Sequence, residues 1–303
     1  MINVKPFIYR NARPLDLAIF RYHFENGDIN EVLNALSYYQ NDDGGFAHAI
    51  EPDNWNENSN PVGTWAAAMI LREINFVDAS HPIIQGILRY LDSMESFANG
   101  KWMNTVPSNN DYPHAVWWHC DGDGDLADNP TVALAGFILR FANKSSTLYE
   151  KACVIVKQAI KNFMENPTDE WHTVRCYTDL IAYCEEIKGF DVFPLDEFRN
   201  AIINKVNAVI CSDSNKWAAE YVCTPSFFSF RENPIVRYIP RELCEKESKL
   251  LITKQLPDGS FPITWKWHND YKEFEIAANW WRSDIIIRNL KFIKTYGNQE
   301  LQL

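Results

Sequence analysis

Gln40-Asn41-Asp42-Asp43-Gly44-Gly45-Phe46 follows a segment, Ile29–Tyr39, whose apolar residues Ile29, Val32, Leu33, Leu36 and Tyr39 fall at helical spacings. The pattern returns near the other end as Gln255-Leu256-Pro257-Asp258-Gly259-Ser260-Phe261, behind a helical stretch through Leu250–Thr253. In each copy six residues separate Gln from Phe (46 minus 40, 261 minus 255). Gly after Asp supplies the positive φ that ends a helix and turns the chain. The Phe can then re-enter the core and fasten the turn. A helix stop used twice implies a repeated unit.

Weaker copies are polar turns closed by Trp: Asn99-Gly100-Lys101-Trp102, Thr168-Asp169-Glu170-Trp171 and Asp213-Ser214-Asn215-Lys216-Trp217. The five marks, Phe46, Trp102, Trp171, Trp217 and Phe261, stand 56, 69, 46 and 44 residues apart by subtraction. The last two intervals suit one helical hairpin each, and the longer two imply inserted loops. Helical stripes also run through Ile83–Met94, Ala152–Met164, Ala201–Ile210 and Cys244–Ile252, with no alternating run of strand length between them. A second repeat lies downstream of the marks. Asn60-Pro61 precedes Trp65–Leu71 and Asn129-Pro130 precedes Leu134–Leu139, so that Ala66 matches Ala135 and Ile70 matches Leu139 at an offset of 69 residues. Asn as N-cap with Pro at the first helical position is a helix start, and the small residues behind it allow close packing. Each repeat reads as an outer helix, an aromatic-closed turn, a loop and a capped inner helix, the last pair being Glu242–Thr253 and Ile276–Tyr296. The expected fold is all-α: a single α/α toroid domain over 1–303, of five to six helical hairpins closed in a ring.

Composition agrees with one large buried core. The chain is 46% hydrophobic and 23% charged, with no linker-like or low-complexity stretch. Aromatic content is high, with 11 Trp, which argues for aromatic-lined cavities as well as core. The formal charge of −11 and the absence of a basic patch speak against a nucleic-acid partner. Seven Cys without close pairing read as reduced thiols. No run reaches signal-peptide or transmembrane length, so a cytoplasmic protein without a membrane span is expected. Oligomeric state leaves no signature.

The Gln-x-x-Asp-Gly-Gly/Ser-Phe turn resembles the repeat of squalene–hopene cyclases and protein prenyltransferase β-subunits, the terpenoid cyclase-like α/α toroids. That resemblance implies a ring of helix pairs around a central pocket, and an apolar or isoprenoid-type small-molecule ligand. Polysaccharide lyases and other carbohydrate-active toroids carry similar turns, which implies paired carboxylates acting on sugars as the alternative. A non-catalytic binding module is the third possibility.

Polar residues gather in the loops that lead to inner helices. After Phe46 come His48, Glu51, Asp53 and Trp55, where an acid beside a His could share general acid–base work, with Asp53 as first choice. The second loop carries Trp118, His119, Cys120, Asp121, Asp123 and Asp125. Asp121, Asp123 and Asp125 could converge on a divalent cation, although Leu126 and Val132 depart from an EF-hand loop. Asp123 or Asp125 could also pair with Asp53 as a second catalytic carboxylate. Asp121-Gly122-Asp123-Gly124 departs from the Asp-x-Asp-Asp acid of hopene cyclases at its fourth position. His119, Cys120 and Asp121 supply the ligand types of a prenyltransferase zinc site, but as direct neighbours. The third loop brings Trp267 and His268 ahead of Trp280, and with Trp55 and Trp118 these could line a ligand site. No P-loop, Gly-x-Ser-x-Gly, His-Glu-x-x-His or Asp-Asp-x-x-Asp signature occurs.

Overall fold

The computed structural model describes residues 3–218 and 220–297. Among these lie eleven α-helices: α1 (Lys5–Asn11), α2 (Pro14–Phe24), α3 (Ile29–Ser37), α4 (Pro61–Glu73), α5 (Pro82–Asp92), α6 (Asp128–Phe141), α7 (Thr147–Glu165), α8 (Trp171–Glu185), α9 (Leu195–Val209), α10 (Arg241–Lys254) and α11 (Phe274–Tyr296). The fold is all-α in class, with no helix among the described residues long and apolar enough to cross a membrane.

Burial sorts the helices into two sets. Of the 13 residues of α4, 12 are buried, and α6 and α8 are buried almost all round. Helices α3, α5, α7 and α9 each bury one stripe and expose the rest, as outer helices do. The two sets alternate along the chain from α3 to α8. Close approach within the inner set rests on small residues. A Cβ added to Gly136 of α6 would come 3.0 Å from Leu180 Cα on α8.

The two strong turn motifs fold alike. Gln40 Nε2 donates to Gly44 O at 2.9 Å, and Gln255 Nε2 to Gly259 O at 3.0 Å. Asp43 Oδ1 accepts from Gly45 N, as Asp258 Oδ1 does from Ser260 N. Gly44 and Gly259 have φ of 97° and 88°, and Phe46 and Phe261 are buried. Phe46 then holds the next inner helix, its N–H donating to Thr64 Oγ1 at 3.1 Å. Trp102 repeats this bond on Thr131 Oγ1 at 2.9 Å, which makes it a working third copy. Asn60 caps α4 by accepting from Gly63 N at 2.8 Å.

Other expectations need correction. Asn129 does not bond the first turn of α6; its Oδ1 accepts from the Cys176 thiol instead. Trp171 closes no turn but is the first residue of α8, and Trp217 sits in a short 3₁₀ turn, donating to Cys211 O at 2.7 Å. After Trp217 no inner α-helix follows; 3₁₀ segments Pro225–Glu232 and Pro234–Tyr238 take its place. A small antiparallel sheet, β1 (Phe97–Ala98), β2 (Lys101–Thr105) and β3 (Asp125–Leu126), also went unanticipated, because strands of two to five residues are too short to show a period of two.

At the chain's ends α11 packs against α1 and α2. The turn at Gly259 meets the backbone of Asn3 and Val4, as the turn at Gly44 meets Gly86 of α5. All seven cysteines are free thiols, and Cys176 and Cys184 both lie buried on α8.

Candidate acid centre

Beyond Phe46 the backbone takes the left-handed conformation at His48 and Ala49, with φ of 60° and 57°. This doubles the loop back and sends His48 outward while Glu51 and Asp53 face the protein. His48 is exposed and bonds Asn41 Oδ1 at 2.8 Å, so it does not join the two acids. Glu51 Oε2 accepts from Asp53 N at 2.8 Å, which sets the two carboxyl groups side by side.

Three loops share this place. Trp55 N donates to Pro113 O, Ala115 N to Asp53 O and Val116 N to Trp267 O. Asn54 and Asn56 both donate to Asn109 Oδ1, and Asn109 donates onward to Trp118 O at 2.9 Å. Asp53 completes the assembly by accepting from Trp267 Nε1 at 2.6 Å and Trp265 Nε1 at 3.1 Å. The structure thus brings together Glu51, Asp53, Trp55, Trp118, Trp267 and Trp280 from distant stretches of chain. Trp55 stacks on Trp280 at 5.2 Å, and the buried Arg13 guanidinium lies 5.4 Å from the other ring's centroid, that of Trp280. Arg13 also donates to Ala49 O and pairs with Asp16.

The two acids differ in access. Asp53 is 2% exposed with both oxygens accepting hydrogen bonds, whereas Glu51 is half-buried as a residue, with its carboxyl turned inward. Burial, reinforced by the Asp53 charge, pushes the Glu51 carboxyl well above the usual carboxylate range, against the pull of Asp53 N–H and Arg13. Burial also raises Asp53, although the indole N–H groups of Trp267, Trp281 and Trp265 favour its charged form. Trp118 Nε1 faces Glu51 and Trp281 Nε1 faces Asp53, each favouring the charged carboxylate, at a geometry looser than a full hydrogen bond.

A histidine pair flanks the centre. His114 Nδ1 lies 2.6 Å from Tyr112 O, a pure acceptor, so Nδ1 carries the proton. Its Nε2 then accepts from His119 Nδ1 at 3.2 Å, leaving His119 Nε2 facing Asp121 at 3.8 Å.

The remaining expected residues stay outside. His268 is exposed. Asp121, Asp123 and Asp125 are all exposed and do not form the cation site anticipated from their spacing: Asp125 is drawn into β3 opposite Thr105, and Asp121 lies beside His119. Among the described residues no three His, Cys, Asp or Glu side chains converge on a position for a metal ion. No bond links Asp123 or Asp125 to Glu51 or Asp53 either. Sequence reading missed Trp265, Trp281, Asn54, Asn56, Asn109 and Arg13; the doubled Trp pairs at 265/267 and 280/281 were the available signal for two of them.

A cleft of about 410 Å³ lies elsewhere, where α4, α6 and α8 end, lined by Arg72, Phe76, Arg140, Phe141 and Tyr183 among others. Comparison with known proteins finds no matching family model, no matching curated protein and no matching solved structure. The chemistry of the acid centre must therefore be argued from its own atoms.

Proposed function

We propose that the chain is a single α/α toroid in which Glu51 is a general acid, protonating an apolar, isoprenoid-type ligand held against Trp55, Trp118, Trp280 and Trp281. The observation that carries this reading is a carboxyl whose burial raises its pKa, set beside indole N–H groups and a stacked pair of Trp rings. A carboxyl whose pKa is raised holds its proton to higher pH and can donate it, and aromatic faces stabilise the positive charge that then develops on the ligand. Asp53 acts as the positioning residue, tying the loops together while its backbone N–H orients Glu51.

Ring closure is supported by the alternation of inner and outer helices, by α11 packing on α1 and α2, and by the parallel between the turns at Gly44 and Gly259. The carbohydrate reading fits less well. Glycosidase carboxyls face each other across the sugar at about 5–10 Å, whereas Glu51 and Asp53 stand two residues apart on one loop, and Asp123 and Asp125 point to no shared space with them.

The test is a thermal-shift screen with farnesol and squalene as apolar probes and with uncharged oligosaccharides, followed by turnover assays on any probe that stabilises the fold. The expected result is stabilisation by an isoprenoid probe, with conversion that declines as pH rises through the raised Glu51 pKa. Glu51→Gln keeps an acceptor for Asp53 N–H, so it should retain binding and lose about 100-fold in rate. Turnover insensitive to pH and to Glu51→Gln would refute the acid role; stabilisation by none of the probes would leave a non-catalytic module as the better description.

A further inference from the structure

Arg175, on the second turn of α8, packs its guanidinium among aromatic rings. Its guanidinium lies 4.8 Å from the centroids of Trp65, Phe227 and Phe230. Among the described residues it makes no ion pair and no side-chain hydrogen bond, and its Nε is buried without a partner. The arginines around it are different. Arg72 is bound to Asp179 at 2.6 Å, Arg231 to Glu73 and Asp284, and Arg288 to Asp284 at 2.7 Å. Arg175, Arg231 and Arg288 all pack on the same Phe230 ring, at 4.8, 4.7 and 4.9 Å. The nearby carboxylates are thus already committed, and one cation is left over.

That surplus charge is costly. Burial pushes the Arg175 guanidinium below its ordinary value, and the Arg288 charge adds to this, against the opposing pull of Asp179. A partly desolvated cation without an ion-pair partner gains from an anion supplied from outside the chain. Phe227 and Phe230 keep partial exposure, as do Arg175 and Arg288, so the place is open to a ligand. The planar fork of donors suits an oxyanion that can accept two hydrogen bonds at once.

We propose that Arg175, with Arg288 beside it on the Phe230 ring, is an anion-binding site that takes the carboxylate or phosphate group of a small ligand. This goes beyond the acid centre: it depends on Arg175 and Arg288 and not on any role of Glu51. It also explains how a chain of net charge −11 can receive an anion, since the attraction is local.

The experiment measures thermal stability of the full chain in pyrophosphate, in malonate and in sodium chloride at equal ionic strength. Either anion should raise Tm above the chloride control in a concentration-dependent way. Pyrophosphate acting alone assigns a phosphoryl group, malonate acting alone a carboxylate. Arg175→Gln should weaken binding by about tenfold or more, and Arg175→Lys should restore part of it. Without added anion, Arg175→Met should melt at the same temperature as the parent chain or higher, because it removes an uncompensated charge and keeps the apolar bulk. The proposal is overturned if neither anion exceeds the chloride control, if Arg175→Gln keeps the full shift, or if Arg175→Met loses several degrees without ligand, which would make the cation a packing element.

Discussion

Glu73→Gln is expected to lower the unfolding free energy by about 3–5 kcal/mol at neutral pH. Glu73 ends α4 with a side chain 1% exposed, and it gathers partners from three other segments: the cations Arg231 from the 3₁₀ stretch and Lys291 from α11 at 2.8 Å, and the His23 ring from α2 at 3.2 Å. Burial alone would raise its pKa, but Arg231, Lys291 and His23 outweigh burial and hold the carboxyl well below its ordinary range. Glutamine keeps the shape and removes the charge, so Arg231 and Lys291 lose the buried partner they share. The pH dependence follows from the direction of the shift. A depressed folded pKa gives stability that is present above the unfolded value of about 4.5 and is lost as pH falls towards the folded value. Urea denaturation should therefore show a large gap between parent and variant at pH 7 that narrows below about pH 4.5. A gap under about 1 kcal/mol at pH 7, the range of exposed pairs, would mean the network contributes little.

Gly44→Ala should cost about 2–5 kcal/mol, and Gly259→Ala a similar amount. Two penalties combine at each position. The backbone sits at positive φ, 97° and 88°, which L-residues adopt only with strain. An added Cβ would also stand 2.1 Å from Gly86 O in the first case and 2.6 Å from Asn3 O in the second. Both obstacles are backbone, so the turn itself must shift off its neighbour. Gly100 is the control: its φ of 81° is comparable, but nothing lies within 4 Å of the added atom. Gly100→Ala should cost about 1–2 kcal/mol, the strain alone. Equal losses at all three positions would show that close approach of the turns contributes nothing.

These positions also explain what could be read from the chain without coordinates. Gln40 and Gln255, with the Asp-Gly steps behind them, encode a turn whose shared bonds, from the Gln side chain to the Gly carbonyl and to the Asp side chain from the N–H two residues on, are local, so similar letters fold alike. Asn60-Pro61 is equally local. Asn129 is not, because its side chain answers to Cys176 on another helix, and spacing carries no record of that partner. The convergence of three loops was legible because each follows a turn at the start of an inner helix. Side-chain direction inside those loops was not. The left-handed residues His48 and Ala49 decide that His48 points out and Glu51 in, and an irregular loop has no period to announce it. Sequence places Glu51 and Asp53 on the same loop, and only the packing shows that both oxygens of Asp53 are taken by the indoles of Trp265 and Trp267. The Asp121–Asp125 run shows the opposite failure, a conspicuous composition whose carboxylates remain separate and solvated. Arg175 was invisible, since its meaning lies in the carboxylate it lacks.

The thiols give this chain a built-in set of clocks. Cys176, Cys184, Cys223 and Cys244 are buried, and burial pushes each of them up, Cys223 and Cys244 to about 12, so the reactive thiolate is scarce while the native packing holds. An alkylating reagent reaches them only during transient openings, and its rate at each sulfur measures how often that neighbourhood breathes. Because the four sulfurs sit on α8, on α10 and on the segment between α9 and α10, mass-resolved labelling would rank these parts by local opening energy without a single engineered probe.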